Sequence, residues 1–109
     1  MKFNDANVLI TGGASGIGRI MGRLALEKGA RCFIIWDINS QEIETTCREF
    51  SRYGKVKGYV VDVSDNEAIK SAYQKTVEEC GAIDILINNA GIITGNKTFD
   101  RQTEGEIVK

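Results

Sequence analysis

The sequence predicts an α/β chain built on a doubly wound parallel sheet. Three observations point there. Short apolar runs alternate with segments of helical period, in the order βαβαβαβ. The runs are continuously apolar, as strands covered on both faces are. The joint between the first run and the first helix holds four glycines in seven positions, Gly12 to Gly18.

Each element can be justified in turn. Val8-Leu9-Ile10 forms the first strand and ends in Thr11-Gly12. From Gly16 the period changes. Ile17, Ile20, Met21, Leu24 and Ala25 recur at helical spacing, so they predict the buried face of a helix that stops near Gly29. Cys32 to Trp36 is the second strand, ending at Asp37. A helix follows, with Asn39 or Ser40 as cap, Ile43, Cys47 and Phe50 on one face, and Gly54 as stop. Val56 to Val63 reads as the third strand. Ser64-x-x-Glu67 has the form of a capping box. The stripe Ile69, Ala72, Tyr73, Val77 and Cys80 predicts a third helix with these residues in the core. Ile83 to Ile87 is the fourth strand, followed by Asn88-Asn89-Ala90-Gly91.

Composition narrows the class. At 109 residues the chain is one domain or part of one. It is 42% hydrophobic and 27% charged, which fits a globular chain and not a disordered one. Lys and Arg number 14 against 15 Asp and Glu, dispersed and without a basic run, so nucleic acid is not an expected partner. No apolar run approaches the ~18 residues of a membrane span, and no membrane partner is expected. The N-terminus MKFNDANV carries no apolar leader. The three cysteines are widely spaced and there is no histidine, so neither a disulfide framework nor a metal site is expected. A cytoplasmic setting with reduced thiols follows as the expectation.

The glycines carry the chemistry. A phosphate at the start of a helix is held by backbone N–H groups and the positive end of the helix dipole. A side chain there would hold a pyrophosphate away. Gly12 can turn the chain, Gly16 can let the backbone approach the phosphates, and Gly18 can let the helix sit close on the strand. The cluster follows a strand, opens a helix and lies within a βαβ unit, the context that gives such a motif its meaning.

Thr11-Gly12-Gly13-Ala14-Ser15-Gly16-Ile17-Gly18 has the spacing T-G-x-x-x-G-x-G. It resembles the cofactor loop of the short-chain dehydrogenase/reductase family. Asn88 to Gly91 resembles that family's N-N-A-G motif, and Asp62-Val63 a third. The resemblance covers residues 5 to about 95. It implies a Rossmann-type sheet of four strands in the order 3-2-1-4 with three helices. Right-handed crossovers would put the first two helices on one face and the third on the other. It implies cofactor contacts from Gly12, Ser15, Gly16, Ile17, Gly18, Asp37, Asp62, Val63, Asn89, Ala90 and Gly91. Asp62 would accept from the adenine amino group and the Val63 N–H would meet a ring nitrogen. Asn89, Ala90 and Gly91 would line the cofactor ribose.

Asp37 bears on which dinucleotide binds. A carboxylate ending the second strand can accept hydrogen bonds from the adenosine ribose hydroxyls, and it would repel a 2′-phosphate. The cation that the family uses for such a phosphate would stand at Ser15 or Ile38, and neither is charged. Arg19 is the nearest base, past Gly18. NAD is expected in preference to NADP. Taken alone, Asp37 also reads as a solvated strand-end carboxylate or a helix cap.

The family's catalytic Ser and Tyr-x-x-x-Lys cannot be placed. Tyr53-x-x-x-Lys57 has the spacing but falls in the wrong region, so no catalytic residue is assigned. Residues 1–95 then form the βαβαβαβ core, and 96–109 a loop and the start of a helix announced by Thr103-Glu104-Gly105-Glu106. The chain is thus expected to be a truncated, cofactor-binding part of an enzyme that moves a hydride between NAD(H) and a secondary alcohol or ketone. It is expected to be inactive by itself. Its fourth strand is an open edge guarded only by Asp84, so a homo-oligomer is expected. Two other readings stay open: a free-standing dinucleotide-binding sensor without catalysis, and a fragment with no function.

Overall fold

The computed structural model describes residues 2–89. Seven elements follow one another: β1 (Asn7–Thr11), α1 (Gly16–Glu27), β2 (Cys32–Asp37), α2 (Ser40–Phe50), β3 (Lys55–Val60), α3 (Asn66–Cys80) and β4 (Ile85–Asn88). The strands form one parallel sheet in the order β3-β2-β1-β4. This is the doubly wound order that the resemblance implies.

Side-chain alternation assigns the faces. Val8 and Ile10 of β1 and Phe33 and Ile35 of β2 pack with Ala25, Leu26, Ile43 and Phe50 of α1 and α2. Leu9, Cys32, Ile34 and Trp36 point the other way, toward Ala72 of α3. The central strands β1 and β2 are buried along almost their whole length. The outer strands β3 and β4 are half-exposed. Among the described residues no helix is long and apolar enough to cross a membrane.

Several sequence expectations need correction, among them the bounds of the fourth strand, which runs Ile85–Asn88 and not Ile83 to Ile87. First, α1 buries Gly18, Gly22, Ala25 and Leu26, whereas Ile17, Ile20 and Leu24 are exposed. The apolar stripe faces outward because the glycines bring the helix backbone down onto the sheet. A Cβ on Gly22 would lie 2.1 Å from the Phe33 ring. Second, β3 ends at Val60 instead of Val63. Ser64 donates its N–H and its hydroxyl to Asp62 Oδ1, which bends the chain away from the sheet. Third, Asp65 caps α3, and Ser64 does not. The Asp65 carboxylate accepts from the N–H groups of Glu67 and Ala68. Fourth, Tyr73 is 54% exposed and lies outside the core.

Two polar groups tie the fourth strand in. Asn7 is fully buried. Its side-chain amide donates to the carbonyls of Cys80 and Ala82, and its Oδ1 accepts from Arg31. Asp84 turns toward β1, where its carboxylate accepts the Asn7 N–H at 2.8 Å. The residue expected to guard the open edge therefore anchors β4 to β1 instead.

Candidate functional site

At the C-terminal ends of β1, β2 and β4 the chain shapes a half-open cavity of about 820 Å³. Such a crevice, where the strand order reverses, is where open α/β sheets take their ligands. Gly12, Ser15, Gly16, Ile17, Asp37, Asp62, Val63 and Asn89 all line it. Three separate sequence motifs, spread over 78 positions, thus meet in one place. Gly18 lies just behind, buried in the first turn of α1. Ala90 and Gly91 lie outside the described residues, as does the Thr103–Glu106 box.

The glycine loop is shaped from both sides. Gly12 turns the chain at a φ of +69°, and its N–H donates to the Trp36 carbonyl at 2.7 Å. Gly16 has a φ of +56°, and a Cβ built on it would meet nothing within 4 Å. The space above Gly16 is therefore open for a ligand to approach the backbone. Gly18 is the opposite case. A Cβ there would sit 2.3 Å from the Gly12 carbonyl oxygen and 2.8 Å from Asn89 Nδ2.

The start of α1 differs from the other two helix starts. Asn39 caps α2 and Asp65 caps α3, each by a side-chain oxygen, and each helix has a glutamate in its first turn. Ser15 makes no such bond and α1 has no acidic residue in its first turn. The partial positive charge of that terminus is left to face the cavity.

Asp37 stands at the end of β2. Its Oδ2 accepts from the Ala14 N–H at 3.1 Å, and its Oδ1 accepts from the Asn39 N–H at 3.1 Å. Each oxygen keeps capacity for a further donor. The bonds from Ser64 hold the Asp62 carboxyl below the usual carboxylate range, so it is anionic at neutral pH. Two carboxylates and no Lys or Arg line the cavity among the described residues. Arg19 lines a neighbouring surface hollow that shares Ser15 and Gly16 with the cavity, and its guanidinium pairs with Glu49 and lies over the Phe50 ring.

Sequence reasoning missed several residues of this region. Met21, Ile38, Val61 and Ile87 add apolar wall. Thr46 of α2 holds the loop from beneath and is fully buried. Nothing in the motif spacing marks it. Trp36 also lines the cavity, and its indole donates to Thr76 inside the α3 layer.

Tyr53 and Lys57 do not form a pair. The Tyr53 ring packs on Phe50 with the Arg23 guanidinium 4.7 Å from its centre, on the α1–α2 side. Lys57 reaches Glu79 of α3 on the other side, at 3.5 Å. Tyr59 is no freer. Burial, and then its bonds to Glu79 and Cys80, push its phenol up from its ordinary pKa.

The sequence is similar to epidermal retinol dehydrogenase 2 of Homo sapiens, 39% identical over 95 residues, which are 85% of this chain and 30% of that protein. The fold is similar to an NAD+-bound xylitol dehydrogenase, with a TM-score of 0.73 and 28% identity, over 79% of this chain and 33% of that one. It is also similar to RhlG of Pseudomonas aeruginosa in an NADP active-site complex, with a TM-score of 0.72 and 31% identity, over 81% of this chain and 36% of that one. The chain thus spans about a third of the length of the proteins it matches. The sequence profile of the short chain dehydrogenases matches residues 6–109, nearly all of this sequence, and the chain belongs to that family.

Proposed function

We propose that this chain is the dinucleotide-binding part of an oxidoreductase, and that its dinucleotide is NAD(H) in preference to NADP(H). The observation that carries the choice is the Asp37 carboxylate, placed in one cavity with Gly16 and with no cationic side chain among the described lining residues. A 2′-phosphate beside that carboxylate would be repelled without a compensating charge, whereas ribose hydroxyls would find an acceptor. The relatives bear on the cofactor class alone, since one similar structure is NAD+-bound and another is an NADP complex.

The residues take the following parts. Gly12, Ser15, Gly16, Ile17 and Gly18 receive the pyrophosphate on the uncapped start of α1. Asp37 accepts from the adenosine ribose, Asp62 from the adenine amino group, and the Val63 N–H meets a ring nitrogen. Asn89, Ala90 and Gly91 line the cofactor ribose. The bound cofactor supplies hydride chemistry. In the intact protein that hydride passes between NAD(H) and a secondary alcohol or ketone, on catalytic residues that this chain does not contain. The chain by itself binds without turnover. Its three free cysteines fit a reducing, cytoplasmic setting. The exposed Leu86 and the single pairing of β4 among the described residues favour self-association along that edge.

Calorimetry with both dinucleotides tests the choice. NAD(H) is expected to bind at least about tenfold tighter, the scale of ~1.4 kcal/mol. Equal or tighter binding of NADP(H) would overturn it.

A further inference from the structure

We propose that Thr46 is a positioning residue for the cofactor cavity, fixing the glycine loop and the Asp37 carboxylate together through Ala14. This rests on the reading of Asp37 as the ribose acceptor and extends it to a residue in α2 that touches no ligand.

A threonine in mid-helix ordinarily turns its hydroxyl to solvent or to the carbonyl one turn back. Thr46 does neither. It is 0% exposed, and its Oγ1 donates to the Ala14 carbonyl, 32 residues away, at 3.2 Å. Ala14 is itself buried, and its N–H donates to Asp37 Oδ2 at 3.1 Å. The other oxygen of Asp37 accepts from the N–H of Asn39, the cap residue of the same helix. The four residues close a circuit: α2 holds Ala14, Ala14 holds Asp37, and Asp37 holds the start of α2.

The circuit has a functional consequence. Ala14 lies between Gly12 and Gly16, so holding its two polar groups sets the path of the loop between them. The same bonds fix the plane of the Asp37 carboxylate. A carboxylate with both oxygens pinned presents its remaining acceptor sites in fixed directions. Without the Thr46 hydroxyl, the buried Ala14 carbonyl loses its partner and the loop shifts to find another. Asp37 then loses its alignment with the ribose. The effect falls on discrimination between NAD and NADP more than on the fold.

The test compares Thr46→Val, which removes the hydroxyl at nearly constant shape, with Thr46→Ser, which restores it. Thr46→Ala serves as a second hydroxyl-free variant should the valine prevent folding. Calorimetry is run with NAD and NADP, and amide exchange of Ala14 is followed in the unliganded chain. In the hydroxyl-free variants NAD is expected to bind about tenfold weaker, NADP to change by less than about threefold, and Ala14 to exchange about tenfold faster. Thr46→Ser should stay within about threefold of the parent chain on all three readouts. An unchanged NAD/NADP ratio with unchanged Ala14 exchange overturns the role of Thr46. So does an equal loss of both dinucleotides that serine fails to restore. A parent chain that binds neither dinucleotide overturns the cofactor reading itself and this proposal with it, an outcome distinct from the other two.

Discussion

Asn89 donates its side-chain amide to the Gly12 carbonyl at 3.2 Å, joining the end of β4 to the glycine loop across 77 residues of sequence. The missing side chain of Gly18 leaves room for that bond, since a Cβ there would crowd both partners. One atom removed from α1 and one amide at the end of the neighbouring strand β4 thus meet at the Gly12 carbonyl and define the back wall of the cavity. Thr11 adds a second tie, its hydroxyl donating to Asn88 Oδ1 at 3.0 Å.

Gly18→Ala is therefore expected to act on both stability and binding, and Gly22→Ala on stability alone. Each forces a methyl into occupied space, against the Gly12 carbonyl in one case and the Phe33 ring in the other. Overpacking of this kind costs about 1–3 kcal/mol. Urea denaturation should show both losses. Only Gly18→Ala should weaken NAD binding once the folded fraction is matched.

Asn7 carries more of the fold than its type suggests. Asn7→Ala leaves the Cys80 and Ala82 carbonyls without their donor and removes the acceptor of Arg31. Each lost partner of a buried polar group costs about 1–3 kcal/mol. A loss of about 2–4 kcal/mol in urea denaturation is expected, a large share of a small domain's stability. A loss under about 0.5 kcal/mol would show that water replaces these bonds without penalty.

Cys32 should be chemically silent. Burial raises its thiol pKa to about 12, with the neighbouring Cys80 adding to the shift. The thiolate is the reactive form. Iodoacetamide at pH 8.5 is expected to spare Cys32 in the folded chain and to modify all three cysteines in urea. The linkage has a definite sign. A thiol whose folded pKa is raised contributes stability that is fully present below its unfolded value and is lost as pH rises toward about 12. Midpoints of urea denaturation should accordingly fall on the alkaline side of pH 9 and not between pH 6 and 8.

The chain alone should not turn over alcohols or ketones. Tyr53 and Lys57 lie on opposite sides of the sheet, and Tyr59 is engaged by Glu79. Absorbance of NADH, followed against a panel of secondary alcohols and ketones, should stay flat. Activity that disappears in Tyr53→Phe would show that the spacing Tyr53-x-x-x-Lys57 is catalytic after all.

The layer order was legible because the chain's strongest signals are strand runs and glycines. Cys32 to Trp36 can hardly be anything but a buried strand, and the glycine loop marks where a helix must begin. The faces of the helices were less legible. Apolar residues at 17, 20 and 24 announce an inward stripe, yet α1 approaches the sheet on Gly18, Gly22 and Ala25, where small size and not hydrophobicity is the requirement. Hydrophobic periodicity cannot register a face built for close approach. Asp62 and Asp65 show a similar limit. Both act on the backbone within three residues, and Ser64 between them carries the sequence pattern of a cap without being one. The motif residues of the cavity were legible because each sits at the end of a strand or in the turn and first helical residues just after it. Thr46 was not, because its partner Ala14 is remote in sequence and the bond is to a backbone carbonyl.

Mapping amide chemical shifts on addition of NAD shows directly where the dinucleotide binds. Changes are expected to concentrate at Gly12 to Gly18, Asp37, Asp62, Val63 and Asn89 and to saturate together. Asp37→Ala is expected to weaken binding by about 1–2 kcal/mol, the scale of lost hydrogen bonds to a charged acceptor. Changes confined instead to the concavity of about 1150 Å³ beside α3, around Tyr73 and Leu86, would contradict that placement.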